Sequence, residues 1–315
     1  MMKKILFFIA LTAALVACSP KAEQAAKVGG RYVPERKDDF AWENEYAAFR
    51  MYGPALLPEN PRNGVDLWLK NSPALVVDTM YARELKDGRP YHINYDGNLD
   101  CYKVGHAVGC GGLTVVSMAP MEGAEKVLNV GGPYSSYEIL EQTPDKFVFR
   151  LHYDSLQVDY VQMQADVTIT AEAGKMLNKA EVVLSCPLRI RMPELWVGGG
   201  IFLHDSIDNL RQVEVDGALV YAEDALSDKQ AAKMNYEYNG STSQGRSYVA
   251  VVLPYERPLF MQFEEAKTAV VVRPYELGDT LTYYFGACWS EWSNGEQSFT
   301  TDDDWFEAVH NYVNK

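Results

Sequence analysis

Tyr160-Val161-Gln162-Met163-Gln164-Ala165-Asp166-Val167-Thr168-Ile169-Thr170 is the stretch whose pattern decides the fold class. Val161, Met163, Ala165, Val167 and Ile169 fall on one face, and the polar residues between them fall on the other. That period of two belongs to a strand with one side on a core and the other in water. Thr280–Trp289 repeats it: Leu281, Tyr283, Phe285, Ala287 and Trp289 alternate with Thr282, Tyr284, Gly286 and Cys288. Working outward, strands are predicted at Leu113–Met118, Tyr137–Gln142, Lys146–Tyr153, Lys179–Cys186, Gly200–His204, Arg211–Val215, Ala218–Ala222, Tyr248–Leu253, Leu259–Glu264 and Ala269–Arg273. Asp216-Gly217, Asn239-Gly240, Gly278-Asp279 and Asn294-Gly295 supply turn chemistry between them. Two segments predict helices. Asp302–Val313 has Thr301 as a cap and three aspartates in its first turn; Glu223–Met234 is the other. Many strands and few helices define a mainly β protein, a large antiparallel β-sandwich with few short helices and a C-terminal helix. No repeat of fixed period suggests a propeller or solenoid.

The N-terminus carries a second kind of information. Lys3 and Lys4 precede an apolar run from Ile5 to Val16, which ends in Ala17-Cys18. This is the pattern of a bacterial lipoprotein signal, too short to span a bilayer comfortably. Residues 1–17 are expected to be removed, Cys18 to carry lipid, 18–31 to form a flexible tether, and 32–315 to form a single β-sandwich domain. Ser19 after the lipidated cysteine favours the outer membrane, with the periplasmic face preferred and surface exposure open. The membrane is then a partner through the lipid anchor only. A net charge of -14 over 315 residues excludes the basic footprint that nucleic acid requires. Cys101, Cys110, Cys186 and Cys288 remain. Cys101 and Cys110 could bridge neighbouring strands, although scattered thiols are more often buried small hydrophobes.

Residues Trp42 to Gly112 have a different texture, charged and aromatic at irregular spacing and poor in regular strands. They include Trp42-Glu43-Asn44-Glu45-Tyr46-Ala47-Ala48-Phe49-Arg50-Met51-Tyr52-Gly53-Pro54-Ala55, then Asp66-Leu67-Trp68-Leu69-Lys70. Tyr91-His92, Asp100-Cys101-Tyr102-Lys103-Val104-Gly105 and the Gly109–Gly112 cluster follow. The pattern resembles an uncharacterised lipoprotein family of Bacteroides-type bacteria, domain of unknown function 4861. The resemblance implies a β-sandwich related to galactose mutarotase (a supersandwich) and to the sheet domains of polysaccharide lyases. It also implies a setting of pectin and uronic-acid polysaccharide use. It carries no catalytic residues with it, and Tyr95-Asp96-Gly97-Asn98 stands where members often show Gly-Glu-Gly.

The residues themselves suit a sugar cleft, which needs aromatic faces for C–H surfaces and fixed polar groups for hydroxyls. Trp42, Tyr52, Trp68, Tyr91, Tyr102, Trp289 and Trp292 could supply the faces. Glu45, Arg50, Asp66, His92, Asp100, His106, His204 and Glu291 could supply the polar groups. Trp42, Trp68 and Tyr102 are by type more often core residues, and Arg50 with Glu45 fits a structural ion pair equally well. Among five histidines, His92, His106 and His204 sit near turns that can present an imidazole for acid–base work. β-Elimination on a uronic-acid oligosaccharide would use Arg50 against the carboxylate, His92 as base and Tyr52 as acid. Tyr91 and His92 would face opposite ways in a strand. Hydrolysis by two carboxylates from Glu45, Asp66, Asp100 and Glu291 is a variant without a spacing that selects the pair. A non-catalytic glycan-binding lipoprotein and an assembly partner of an outer-membrane complex are the other readings. No cofactor or metal is expected: the serine elbow and zinc motifs are absent, and the Asp96–Asp100 turn could hold calcium but needs none.

Overall fold

The computed structural model describes residues 25–59, 64–102, 104, 108–118, 127–130, 132–158, 161–187, 194–204, 207–213, 216–225 and 244–314. Among the described residues the chain forms three antiparallel sheets. The first has the order β1 (Gly29–Val33), β2 (Asp39–Glu43), β3 (Ala47–Met51), β4 (Val65–Lys70), β5 (Asn98–Leu99). Numbered along the chain, the next strands are β6 (Cys110–Met118), β7 (Val127–Val130), β8 (Ser136–Gln142), β9 (Lys146–Val158), β10 (Val161–Glu172), β11 (Leu177–Ser185) and β12 (Glu194–Phe202). The remainder are β13 (Leu210–Val213), β14 (Ala218–Asp224), β15 (Arg246–Val252), β16 (Leu259–Phe263), β17 (Thr268–Tyr275) and β18 (Thr280–Trp289). An eight-stranded sheet runs β13-β14-β15-β18-β11-β10-β9-β8, and a five-stranded sheet runs β16-β17-β12-β6-β7. The mainly antiparallel β architecture read from the alternating stretches is therefore the architecture found.

The half-buried strands do what their alternation dictates. β10 reads buried, exposed or half-buried by turns, and β18 puts Leu281, Tyr283 and Phe285 into the core. Phe149 of β9 meets Phe40 at 4.4 Å and Trp42 at 5.0 Å between ring centres, and Phe285 meets Phe49 at 5.7 Å. Aromatic packing thus joins the first sheet to the eight-stranded one. Val115 and Val197 bring β6 and β12 into the same core. Gly111 on β6 has φ +88°, and a Cβ there would run into the Phe285 ring. At Gly199 of β12 a Cβ would stand 2.8 Å from the Tyr283 ring, so both glycines permit close sheet-on-sheet approach.

Two α-helices are described, α1 (Val77–Leu85) and α2 (Asp302–Val313). α2 lies where the sequence places it, and Trp305 stacks on Tyr248 of β15 at 6.0 Å. Its start is a complete capping box: Thr301 Oγ1 accepts from Asp304 N at 3.2 Å, and Asp304 Oδ2 accepts from Thr301 N at 2.8 Å. Thr301→Ala is expected to cost about 1 kcal/mol, read as a shift in the urea midpoint; an unchanged midpoint would mean that the cap contributes nothing.

Several expectations are corrected. The Trp42–Gly112 segment is not poor in strands, since β2, β3 and β4 are fully buried strands. Hydrophobic alternation disappears when both faces are covered. The tether expected to reach residue 31 ends earlier: Val28 is buried and β1 begins at Gly29. The helix expected over Glu223–Met234 starts inside β14, and residues 226–234 lie outside the described residues. Helix α1 was not expected. The four described cysteines are free thiols, so Cys101 and Cys110 are not bridged. Cys18 and residues 1–17 lie outside the described residues, as does His106.

Candidate functional site

Strand geometry assembles the site. In β3 and β4, Phe49, Leu67 and Leu69 point into the main core, so Arg50, Asp66, Trp68 and Lys70 must point to the opposite face. That face is covered by α1 and the loop after it, through Val77, Met80, Tyr81 and Tyr91. Arg50 and Asp66 are direct cross-strand partners. Lys70 Nζ is 3.1 Å from Glu43 Oε2 and donates to Asn44 O at 2.6 Å. Glu43 also accepts from Val76 N and Val77 N at 2.8–2.9 Å, which caps α1 from another strand.

Arg50 is the hub and is only 2% exposed. Nε donates to Asp66 Oδ2 at 2.8 Å; Nη2 donates to the same oxygen and to Asp100 Oδ2, the latter at 3.2 Å. Nη1 donates to Tyr91 Oη at 3.1 Å and stands 3.8 Å from Asp39 Oδ2. The rings of Tyr52, Trp68 and Tyr91 enclose the guanidinium carbon at 4.9, 5.0 and 5.3 Å. Burial opposes the charge on Arg50, but Asp66 and Asp100 outweigh it and hold the group firmly protonated.

Three carboxyls share this one buried guanidinium, and protons make up the imbalance. Burial, against the pull of Arg50, pushes Asp66 up to about 7 and Asp100 up to about 6, and it raises Asp39 as well. Burial also raises Tyr52 far above the ordinary phenol range. A carboxyl that binds its proton more tightly folded than unfolded stabilises the fold fully below its unfolded pKa, and the contribution is lost as pH rises through the folded value. Stability is therefore expected to fall from about pH 4 to about pH 7, and to fall less steeply in Asp66→Asn. Urea unfolding across that interval reads the effect; the same slope in both proteins would contradict the assignment.

His92 stands at the surface of this cluster with its side chain 51% exposed. Nδ1 lies 3.1 Å from the Asp100 carbonyl oxygen and 3.5 Å from Asp100 Oδ2. A carbonyl can only accept, so Nδ1 carries the hydrogen and the Nε2 lone pair is left for other chemistry. Residues 91–92 form a turn rather than a strand, and the two rings meet edge to face at 4.7 Å. The opposed-face expectation for Tyr91 and His92 is thereby corrected.

Arg50, Tyr52, Asp66, Trp68, Tyr91, His92 and Asp100 are thus brought together. The other candidates are elsewhere. Trp42 is fully buried against Phe49 and Phe149, and Trp289 is fully buried with Nε1 donating to Gln244 O at 2.6 Å; neither presents a sugar face. Trp292 is buried too, stacked on Tyr46 at 4.8 Å. Glu45 does not pair with Arg50. It accepts from Gly174 N and stands 3.6 Å from Lys27 Nζ. Tyr102 is buried, its hydroxyl bonded to the carbonyls of Gly109 and Phe202 at 3.0 and 3.1 Å. His204 is a separate dyad, Nδ1 2.6 Å from Glu223 Oε1, with its ring against Tyr102 at 4.5 Å. Glu291 is exposed in the turn after β18. Arg50 itself, sealed and saturated by carboxylates, cannot also receive a substrate carboxylate. Asp66 and Asp100 touch the same Arg50 nitrogen, so no sugar fits between them as a hydrolytic pair. Sequence reasoning missed Arg36, whose half-buried side chain shares Tyr91 with Arg50; it lies upstream of every motif and carried no signal. Among the described residues no group of His, Cys, Asp and Glu is placed to hold a metal ion.

Fold and site together define an antiparallel β-sheet protein with a buried arginine–carboxylate centre under a histidine at the surface. Residues 17–315 match the family described as Domain of unknown function (DUF4861), and the chain belongs to that family. An uncharacterised protein, P7, of Formosa agariphila is 25% identical over 293 residues, covering 90% of this chain and 67% of that protein. A solved structure described as a putative kojibiose phosphorylase from human microbiome is similar over 91% of this chain at 8% identity and a TM-score of 0.39. The chain spans 35% of that structure's length.

Proposed function

We propose that this protein is a carbohydrate-active enzyme that cleaves uronic-acid oligosaccharides by β-elimination, with His92 as the base. The observation that carries the reading is the pose of His92. Its Nδ1–H is held by the Asp100 main-chain carbonyl, the Asp100 carboxyl 3.5 Å away is locked in turn by Arg50, and the ring is half exposed to solvent. A base oriented by a second group that is oriented by a third is the recurring arrangement of acid–base sites. His92 Nε2 removes the proton beside the sugar carboxyl. The electron pair forms the ring double bond, and the bond to the leaving oxygen breaks. Tyr52, half-buried over the Arg50 guanidinium, returns a proton to that oxygen. With Arg50 saturated, the cation assigned to the substrate carboxylate is Arg36, whose Nη1 is buried without a partner. The glycan-binder reading loses support from the sealed Trp42 and Trp289. A lipid anchor at Cys18, at the outer membrane, belongs to the same proposal.

Incubation with a panel of uronic-acid and neutral oligosaccharides, read by mass, tests this. Elimination gives products whose masses sum to the substrate, whereas hydrolysis adds one water. Elimination products from the acidic members alone are expected; water-added products or no turnover of any member would overturn the reading.

A further inference from the structure

Arg83 of α1 is 4% exposed, yet its guanidinium is only partly satisfied. Nη1 stands 3.3 Å from Asp96 Oδ2, while Nε and Nη2 are buried with no partner. Bare donors on a buried cation are costly. The bare pair is the side-on edge of the guanidinium fork, which matches both oxygens of a carboxylate or sulfate. The same side chain lines a cleft of about 870 Å³, with Lys86 and Arg89 also on its wall. That volume is in the range of small-ligand clefts. Arg31, another cation of the wall, is occupied by Glu35 at 2.8 Å and Asp78 at 2.6 Å.

We propose that this cleft beside α1 is a binding site for an acidic, hydroxyl-rich ligand of oligosaccharide size, whose carboxylate or sulfate group is taken side-on by Arg83. The site is separate from His92 and does not depend on the reaction assigned there. Tyr95 lies between two guanidinium groups, 5.1 Å from that of Arg83 and 4.0 Å from that of Arg89. Its ring must swing from Arg83 for the acid group to reach the fork. Lys86 and Arg89 then meet the remaining negative charge. The wall also carries Glu35, Asp78, Asp87 and Asp96 and the net charge is -14, so selectivity for the acid group must come from the bare edge of Arg83 rather than from a positive field.

Calorimetric titration of the full chain carrying His92→Ala, which leaves the probe intact, tests the site, with trigalacturonate, inorganic sulfate and neutral maltotriose as probes. Binding of trigalacturonate without binding of maltotriose is expected. Arg83→Gln is expected to weaken it by about 10- to 100-fold, the loss of two charge-assisted hydrogen bonds, and Arg83→Lys should not restore it. Sulfate binding with the same Arg83 dependence, in the absence of trigalacturonate binding, would identify a sulfate ester as the acid group. Arg83→Met removes a buried charge that is only partly compensated and so should fold. If Arg83 variants fail to fold, Lys86→Gln with Arg89→Gln on the wall should weaken binding in their place. Turnover by the chain that retains His92 should persist in Arg83→Gln, which separates this site from the reaction. No binding of either anion, equal binding of maltotriose, or unchanged affinity in Arg83→Gln and in the wall pair would overturn the proposal.

Discussion

Arg50→Met is expected to destabilise the protein by about 3–5 kcal/mol at neutral pH, the usual cost of stripping the partner from a buried charge. The side chain holds Asp66 and Asp100 by direct hydrogen bonds and faces Asp39 at 3.8 Å. Without it, three buried carboxyls lose the one guanidinium that all of them face, with only Arg36 left near Asp39 and Asp100, and each must keep its proton or leave its place. Protonation removes the penalty, and without Arg50 the carboxyls keep their protons to a higher pH than in the parent, so the deficit should shrink as pH falls toward about 6, the value to which Asp100 is raised in the parent, and level off below it. Adding Asp66→Asn and Asp100→Asn to Arg50→Met should recover much of the loss, because neutral groups of the same shape need no counter-charge. Urea unfolding at two pH values reads all of this. A deficit that is small, or that does not shrink in acid, would mean that packing rather than charge dominates at Arg50.

The sequence announces the fold wherever one side of a strand meets water. β10 alternates from Val161 to Ile169 and β18 from Thr280 to Phe285, beyond which β18 is buried on both faces, and their bounds lie within a few residues of the segments expected. β2, β3 and β4 have no wet face. Asp39, Glu43, Arg50, Asp66 and Lys70 all sit on their second side, under α1 and its following loop. Charged residues on a buried strand face look like loop composition until their partners are known. Helix α1 was hidden for a related reason. It starts at Val76-Val77 without a local capping side chain, and its cap is Glu43, supplied from β2. No reading of neighbouring residues could have found that cap.

The site was legible in part. Arg50, Tyr52, Asp66, Tyr91, His92 and Asp100 stand in one motif-rich segment, and the structure gathers them. Their division of labour was not legible. A guanidinium reads alike in sequence whether it faces a substrate or, as at Arg50, two aspartates. The aromatic inventory misled more, since Trp42 and Trp289 are large because the core between the sheets is deep. Arg83 carried no motif, and its importance lies in burial with unpaired atoms, which only the folded chain reveals.

The largest effect on activity is expected at His92. The ring is half exposed, and its structural ties are Nδ1 at Asp100 and the edge contact with Tyr91. Its removal should leave the fold intact, while loss of a positioned base lowers turnover by about 10²–10⁴-fold. Asp100→Asn keeps the main-chain carbonyl that fixes the tautomer, so its loss should be smaller than that of His92→Ala. The decisive measurement is the rate of unsaturated product formation from trigalacturonate, followed by ultraviolet absorbance in the parent protein and in folded His92→Ala. The account predicts turnover in the first and its near abolition in the second; equal rates in the two proteins would contradict it.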